Sequence, residues 1–258
     1  MNSLVRIWAI AMNTVREAIR NKLLYTLLFF AILMIAAGVV LSTLSYVEIE
    51  RILQDIGFAS IRFFGVAIAI FVGVGLIHKE VDRRTVYTIL SKPLSRSEFL
   101  VGKYVGLVLT IWMQAAIMIA AFALVSLATG APLGAGHAAA FALIGVELAL
   151  VVAIATLFSA FTTPMLASFF STGLWAVGHL TRDLRDIGAN SDLESVRRMT
   201  ALVHRVLPDL DGFDLTIEAA HALPLAASDV WLPAVYGAGY VAILLVCAVS
   251  IFEQRDFR

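Results

Sequence analysis

Two groups of side chains in this 258-residue sequence have the types and spacing to do chemistry. The first is a run of cations between two long apolar stretches: Lys79, Arg83, Arg84, Lys92, Arg96 and Lys103, with Glu80 and Pro93 among them. At about +2.5 to +3.5 kcal/mol for a charge at a helix centre, such a run cannot sit in lipid and must stand in water, where it can grip a partner surface. The second is Glu147, a lone carboxylate in "LIGVELALVVA". A carboxyl group in such surroundings is neutral, paired or facing water. Two readings stay open for it: a pathway or proton-linked group, or a protonated side chain hydrogen-bonded to a neighbouring helix through Gln114 or Thr110.

Other polar groups point to simpler roles. His179, Asp183 and Asp186 share one helix face at a spacing that could hold a metal ion. Asp209, Asp211 and Asp214 in "DLDGFD" suggest calcium, but they depart from the D-x-D-x-D-G loop and lack its distal Glu. Capping and turn formation account for these acids, so no metal site is assigned. There is no H-E-x-x-H and no G-x-S-x-G, so no catalytic residue is assigned. No G-x-x-x-x-G-K-[ST] occurs either; "GKY" at 102–104 lacks both the upstream glycine and the hydroxyl residue, leaving nothing to cradle phosphate. The chain reads as neither an enzyme nor a nucleic-acid binder.

The elements that must position these groups follow from composition. Hydrophobic residues make up 60% of the chain, charged residues only 15%, and mean hydropathy is +0.91. Soluble domains carry about 25% charged residues. Six segments (23–45, 61–77, 104–129, 138–160, 165–180 and 230–252) are apolar enough to be spans. Backbone groups in lipid must pair within their own segment, so the expected fold is all-α, a polytopic membrane protein with six transmembrane helices in one domain, 1–258. Residues 2–22 repeat Leu4, Trp8, Ala11, Met12, Val15 and Ile19 at helical spacing, opposite Arg6, Asn13, Glu17 and Arg20. This predicts an amphipathic helix lying in the interface.

Charge sets the orientation. Arg6, Arg16, Arg20 and Lys22 precede the first span, and the cationic run lies between the second and third, which places both on the cytoplasmic side. Both termini are then cytoplasmic, and the first span reads as an uncleaved anchor. The segment 181–229, with five Arg against nine acids, is expected outside as a helical cap. Ser191 and Glu194 suggest a capping box before one of its helices, and a second short helix is expected at about Leu215 to Ala222. Within 78–103, Asp82 to Leu90 reads as a helix, Pro93 as a stop, and Ser95 or Ser97 as the cap of the helix that leads into span three. Gly102 and Gly106 form a G-x-x-x-G that marks either an intrachain packing contact or a dimer seam. The single cysteine, Cys247, can form no intrachain disulfide.

The order Glu80, Arg83, Arg84, Thr85, Leu90, Lys92, Pro93, Leu94, Arg96, Phe99, Leu100, Gly102, Lys103 resembles the signature of the permease subunits of type-2 ATP-binding-cassette transporters. The resemblance extends over essentially the whole chain: an elbow helix at the start, six spans, an outer segment between spans five and six, and the ending "IFEQRDFR". It implies that 78–103 is a coupling region seated in a cleft of a separate ATPase subunit. Glu80, Arg83, Arg84 and Thr85 would contact or position that subunit, while Lys92, Pro93 and Arg96 would fix the turn. It further implies two permease copies (identical or homologous) with two ATPases that bind the ATP and Mg, and a place in a bacterial inner membrane. Export is the implied direction. A non-transporting assembly that relays ATPase motion to an outer-face accessory protein is the alternative.

Overall fold

The computed structural model describes residues 2–42, 49–82, 95–131, 133–191 and 193–254, without the side chains of 49, 79–82 and 203–206. Among the described residues all regular structure is helical, as expected where apolar runs leave the backbone no partner but itself. In chain order the helices are α1 (Ser3–Ile19), α2 (Lys22–Ser42), α3 (Ile49–Asp82), α4 (Arg96–Ala128), α5 (Ala135–Ser159), α6 (Pro164–His179), α7 (Thr181–Ala189), α8 (Glu194–Val206), α9 (Thr216–Ala220) and α10 (Ser228–Gln254). A 3-10 turn, Asp211–Phe213, precedes α9.

Five of these, α2 to α5 and α10, are long and apolar enough to cross a bilayer. The expected span 165–180 falls in α6, whose 16 residues reach about 24 Å, short of a hydrocarbon core of about 30 Å. Pro164 opens α6 at its first turn, where the missing N–H costs nothing. The stretch before residue 61 differs from expectation. Glu50, Arg51 and Asp55 depress its hydropathy, yet Leu53, Phe58 and Ile61 recur on a buried face, and α3 runs on from Ile49 as one helix of 34 residues.

The bundle is built around α5. Its sequence is apolar on all sides, as a fully surrounded helix must be, and its second half from Leu148 to Ala155 is almost completely buried. The helices α3, α4, α6, α9 and α10 all pack on it. By contrast α2 and α10 turn much of their apolar surface outward, Phe29, Val40, Val235 and Val246 among it, as lipid-facing helices do.

The segment between α6 and α10 has two parts. Helices α7 and α8 pack on each other with Gly188 against Thr200, so close that a methyl group at 188 would overlap the threonine hydroxyl. The expected Ser191–Glu194 capping box is absent, because Glu194 is already the first residue of α8. Instead Ser191 Oγ accepts from the Leu193 N–H (3.3 Å). The second part, from Leu210 to Ala219, folds back as a cap. Leu210, Phe213 and Ala219 are buried in the main core, and the Leu210 N–H bonds to the Gly178 carbonyl (3.0 Å).

Candidate functional site

Of the residues that the sequence assigns to ATPase contact, Arg83, Arg84, Thr85, Lys92 and Pro93 lie outside the described residues, and Glu80 lies in the last turn of α3, with its side chain outside them. The structure does describe the point where the cationic stretch re-enters the bundle. Ser95 caps α4: its hydroxyl accepts from the Glu98 N–H (3.1 Å), and Glu98 Oε2 accepts from the Ser95 N–H (3.2 Å). Glu98 Oε1 also takes the Arg6 guanidinium at 2.6 Å, which ties α1 to the same turn. Arg96 donates to the carbonyls of Glu253 (2.9 Å) and Phe252 (3.4 Å) at the end of α10. A cation there also complements the negative end of the helix dipole. Three elements distant in sequence therefore meet at one turn.

Just beyond, α1 lies along α4. An added Cβ on Gly106 would stand 2.5 Å from the Ala11 carbonyl oxygen, and one on Gly102 would stand 2.8 Å from Ile10 Cβ. The G-x-x-x-G is thus an intrachain contact. Between the two glycines Lys103 is 1% exposed and reaches Glu17 at 3.3 Å. The expected interfacial face of α1 is therefore divided. Ala11, Thr14 and Ala18 are buried against the bundle, while Leu4, Trp8 and Ile19 stay exposed, available to lipid.

A second polar centre lies among the spans. Glu147 is 0% exposed and meets three groups: Arg62 Nε at 3.1 Å, His179 Nε2 at 3.4 Å and the Trp175 indole N–H at 3.0 Å. Neither Gln114 nor Thr110 is its partner; the Thr110 hydroxyl donates to the Gly106 carbonyl of its own helix (2.8 Å). Arg62 continues the network to Asp214 of the cap. For Asp214, burial alone would raise the carboxyl pKa, but the Arg62 hydrogen bond and charge, with help from Thr216, hold it down at about 2. The network joins α3, α5, α6 and the cap, and sums to one negative charge with a neutral imidazole or zero with a charged one. Arg62 was overlooked in the sequence because it opens an apolar run. The signal was there: a lone cation in one span and a lone carboxylate in another.

Asp209 and Asp211 bind arginine. Arg182 reaches Asp209 (3.1 Å) and Asp211 (2.8 Å), and the Thr181 hydroxyl also points at Asp209 (3.4 Å). Partial burial pulls the Arg182 pKa down, but the two carboxylates outweigh it and raise the pKa above its ordinary value. His179 is committed to Glu147, and among the described residues no three His, Cys, Asp or Glu side chains are grouped so as to hold a metal ion.

Residues 8–257 match the family model described as ABC-2 family transporter protein. The chain belongs to this family. It is a multi-pass membrane protein, the permease subunit of an ATP-binding-cassette transporter, and its partner is a separate ATPase subunit. No curated protein sequence matches it. The turn that opens α4 ties its start to both α1 and the end of α10, so three helices are joined where the cationic stretch re-enters the bundle. The Glu147 network lies elsewhere, where α3, α5 and α6 meet the cap.

Proposed function

We propose that this permease is an exporter subunit that alternates between inward- and outward-facing states when its ATPase partners close and reopen. Two copies, or one copy and a homologue, work with two ATPases in a bacterial inner membrane. The short α6 serves as the fifth of six spans, so that both termini face the cytoplasm. The stretch 78–103 is the coupling region, with α1 as the elbow. Glu80, Arg83, Arg84 and Thr85 engage the ATPase, Lys92 and Pro93 set the turn, and Arg96 anchors that turn to α10. ATP and Mg are held by the partner.

The observation that supports this most is the convergence of Arg6, Ser95, Glu98 and the α10 carbonyls around one turn at the exit of the cationic stretch. A partner biases an equilibrium only by binding its two states unequally, and a rigid junction lets that difference reach the spans. The test is the double variant Arg83→Glu/Arg84→Glu. It is expected to insert normally but to lose co-purification with the ATPase and stimulation of its turnover. Undiminished co-purification and turnover would overturn the coupling assignment.

One observation favours a second reading, relay of ATPase motion to an outer-face protein. The α7–α8 pair exposes Ile187, Met199 and Leu202, a surface suited to a protein partner. Solute uptake into sealed inverted vesicles distinguishes the two, since a relay moves no solute.

A further inference from the structure

The end of α6 meets α5 through donors and acceptors that do not balance unless a proton is added. His179 Nδ1 lies 3.1 Å from the Trp175 carbonyl oxygen, which can only accept, so Nδ1 carries a proton. His179 Nε2 lies 3.4 Å from Glu147 Oε1, and in a neutral ring protonated at Nδ1 that nitrogen is an acceptor too. Two acceptors would then face each other, one of them on a side chain that is 0% exposed. We propose that Glu147 and His179 bind one proton between them, and that this proton latches α6 to α5.

The charges lead to the same result. With the proton, Arg62 and the imidazole balance Glu147 and Asp214; without it a net negative charge remains in the core. A buried charge left without a partner is costly. The proton is shared, so its loss is a property of the pair and of neither residue alone. His137 makes the contrast: its Nδ1 accepts the Gly134 N–H (3.1 Å), an arrangement that a neutral ring satisfies. The helices packed against α6 are α5, α3 and α7. Glu147 of α5 meets the ring, and Arg62 of α3 meets Glu147 and links it to Asp214 of the cap. On α7, Arg182 is held by Asp209 and Asp211, while Asp183, Arg185 and Asp186 are exposed. The His179 side chain is itself 22% exposed, which gives the proton a way out. The contact sits under the cap, whose Leu210 N–H bonds to the carbonyl of the adjacent Gly178 (3.0 Å). Loss of the proton therefore parts α6 from α5 beneath the cap. By linkage, a motion that parts them releases the proton.

The site goes beyond the proposed function and is tested without the ATPase. The full chain, isotope-labelled at histidine nitrogens and tryptophan carbonyl carbons, is placed in lipid nanodiscs for solid-state NMR and infrared spectroscopy at neutral pH. His179 is recognised by the proximity of Nδ1 to the Trp175 carbonyl, so the first measurement needs no substitution. The ring is expected to carry two N–H groups, or Glu147 to show the infrared band of a protonated carboxyl. A ring with one N–H beside an ionised Glu147 would overturn the proposal. In Glu147→Gln the carboxamide can itself donate to Nε2, and the doubly protonated ring should become at least about fivefold less populated. Its retention would overturn the pairing. The latch is read separately, as the distance between spin labels at Ala138→Cys on α5 and Leu180→Cys at the end of α6, both exposed, in a Cys247→Ser background. As pH is raised until the proton is lost, that distance should lengthen, and in Glu147→Gln it should not respond. An unchanged distance on loss of the proton, or the same lengthening in Glu147→Gln, would overturn the latch.

Discussion

Removing Arg62 should harm this protein more than removing Glu147, although the two form one ion pair. Arg62 stands between two carboxylates, Glu147 at 3.1 Å and Asp214. Arg62→Leu leaves both acids without their cation, one of them 0% exposed. Breaking a buried pair by removing one partner costs about 3–5 kcal/mol, and here the remaining pair of like charges puts the loss at the upper end. Glu147→Leu leaves Arg62 paired with Asp214 and sacrifices mainly the hydrogen bond from Trp175, about 1–2 kcal/mol. In the double variant Arg62→Leu/Glu147→Leu the buried acid is gone. Its cost should fall below the sum of the single variants by at least about 1 kcal/mol, a coupling typical of residues in direct contact. Denaturant titration of the purified protein in mixed micelles measures all three. Equal costs for the two single variants, or a double variant additive within about 0.5 kcal/mol, would show that the network does not carry the charge balance read here.

The other predictions concern the junction and the cap. Gly106→Val should lift α1 from α4, since even a methyl group meets the Ala11 carbonyl at 2.5 Å; a lowered melting temperature and faster proteolysis between α1 and α2 are the readouts. Glu98→Ala removes the reciprocal cap and the Arg6 tie together, and under the proposed function it should reduce transport per ATP hydrolysed more than it reduces ATPase binding. Asp214 titrates at about 2 in the folded chain, against an ordinary 3.8, so its stabilisation is complete above about 3.8 and disappears as pH falls through about 2. Thermal stability measured from pH 7 downward should therefore fall on the acid side, with a shallower limb in Asp214→Asn.

Local physics made much of this protein legible in its sequence. Apolar runs longer than a bilayer is thick specify helices, since lipid offers the backbone no other partner. A serine cap at 95 or 97 was readable because a cap is local to one helical turn, and the structure chose Ser95 with Glu98 as its reciprocal partner. The junction beyond that cap was not. Arg96 with the α10 carbonyls and Arg6 with Glu98 join residues 156 and 92 positions apart, a separation on which helical periodicity is silent. Glu147 stood out as a costly carboxylate, but its partners come from α3 and α6 and were decided by how the helices pack. The same holds for Gly102 and Gly106, which marked a close approach without saying to what. Residue type and spacing report what a segment demands of its surroundings, the burial of a face or the pairing of a charge. Which segment meets that demand depends on how the helices pack around α5, and only the tertiary structure decided it.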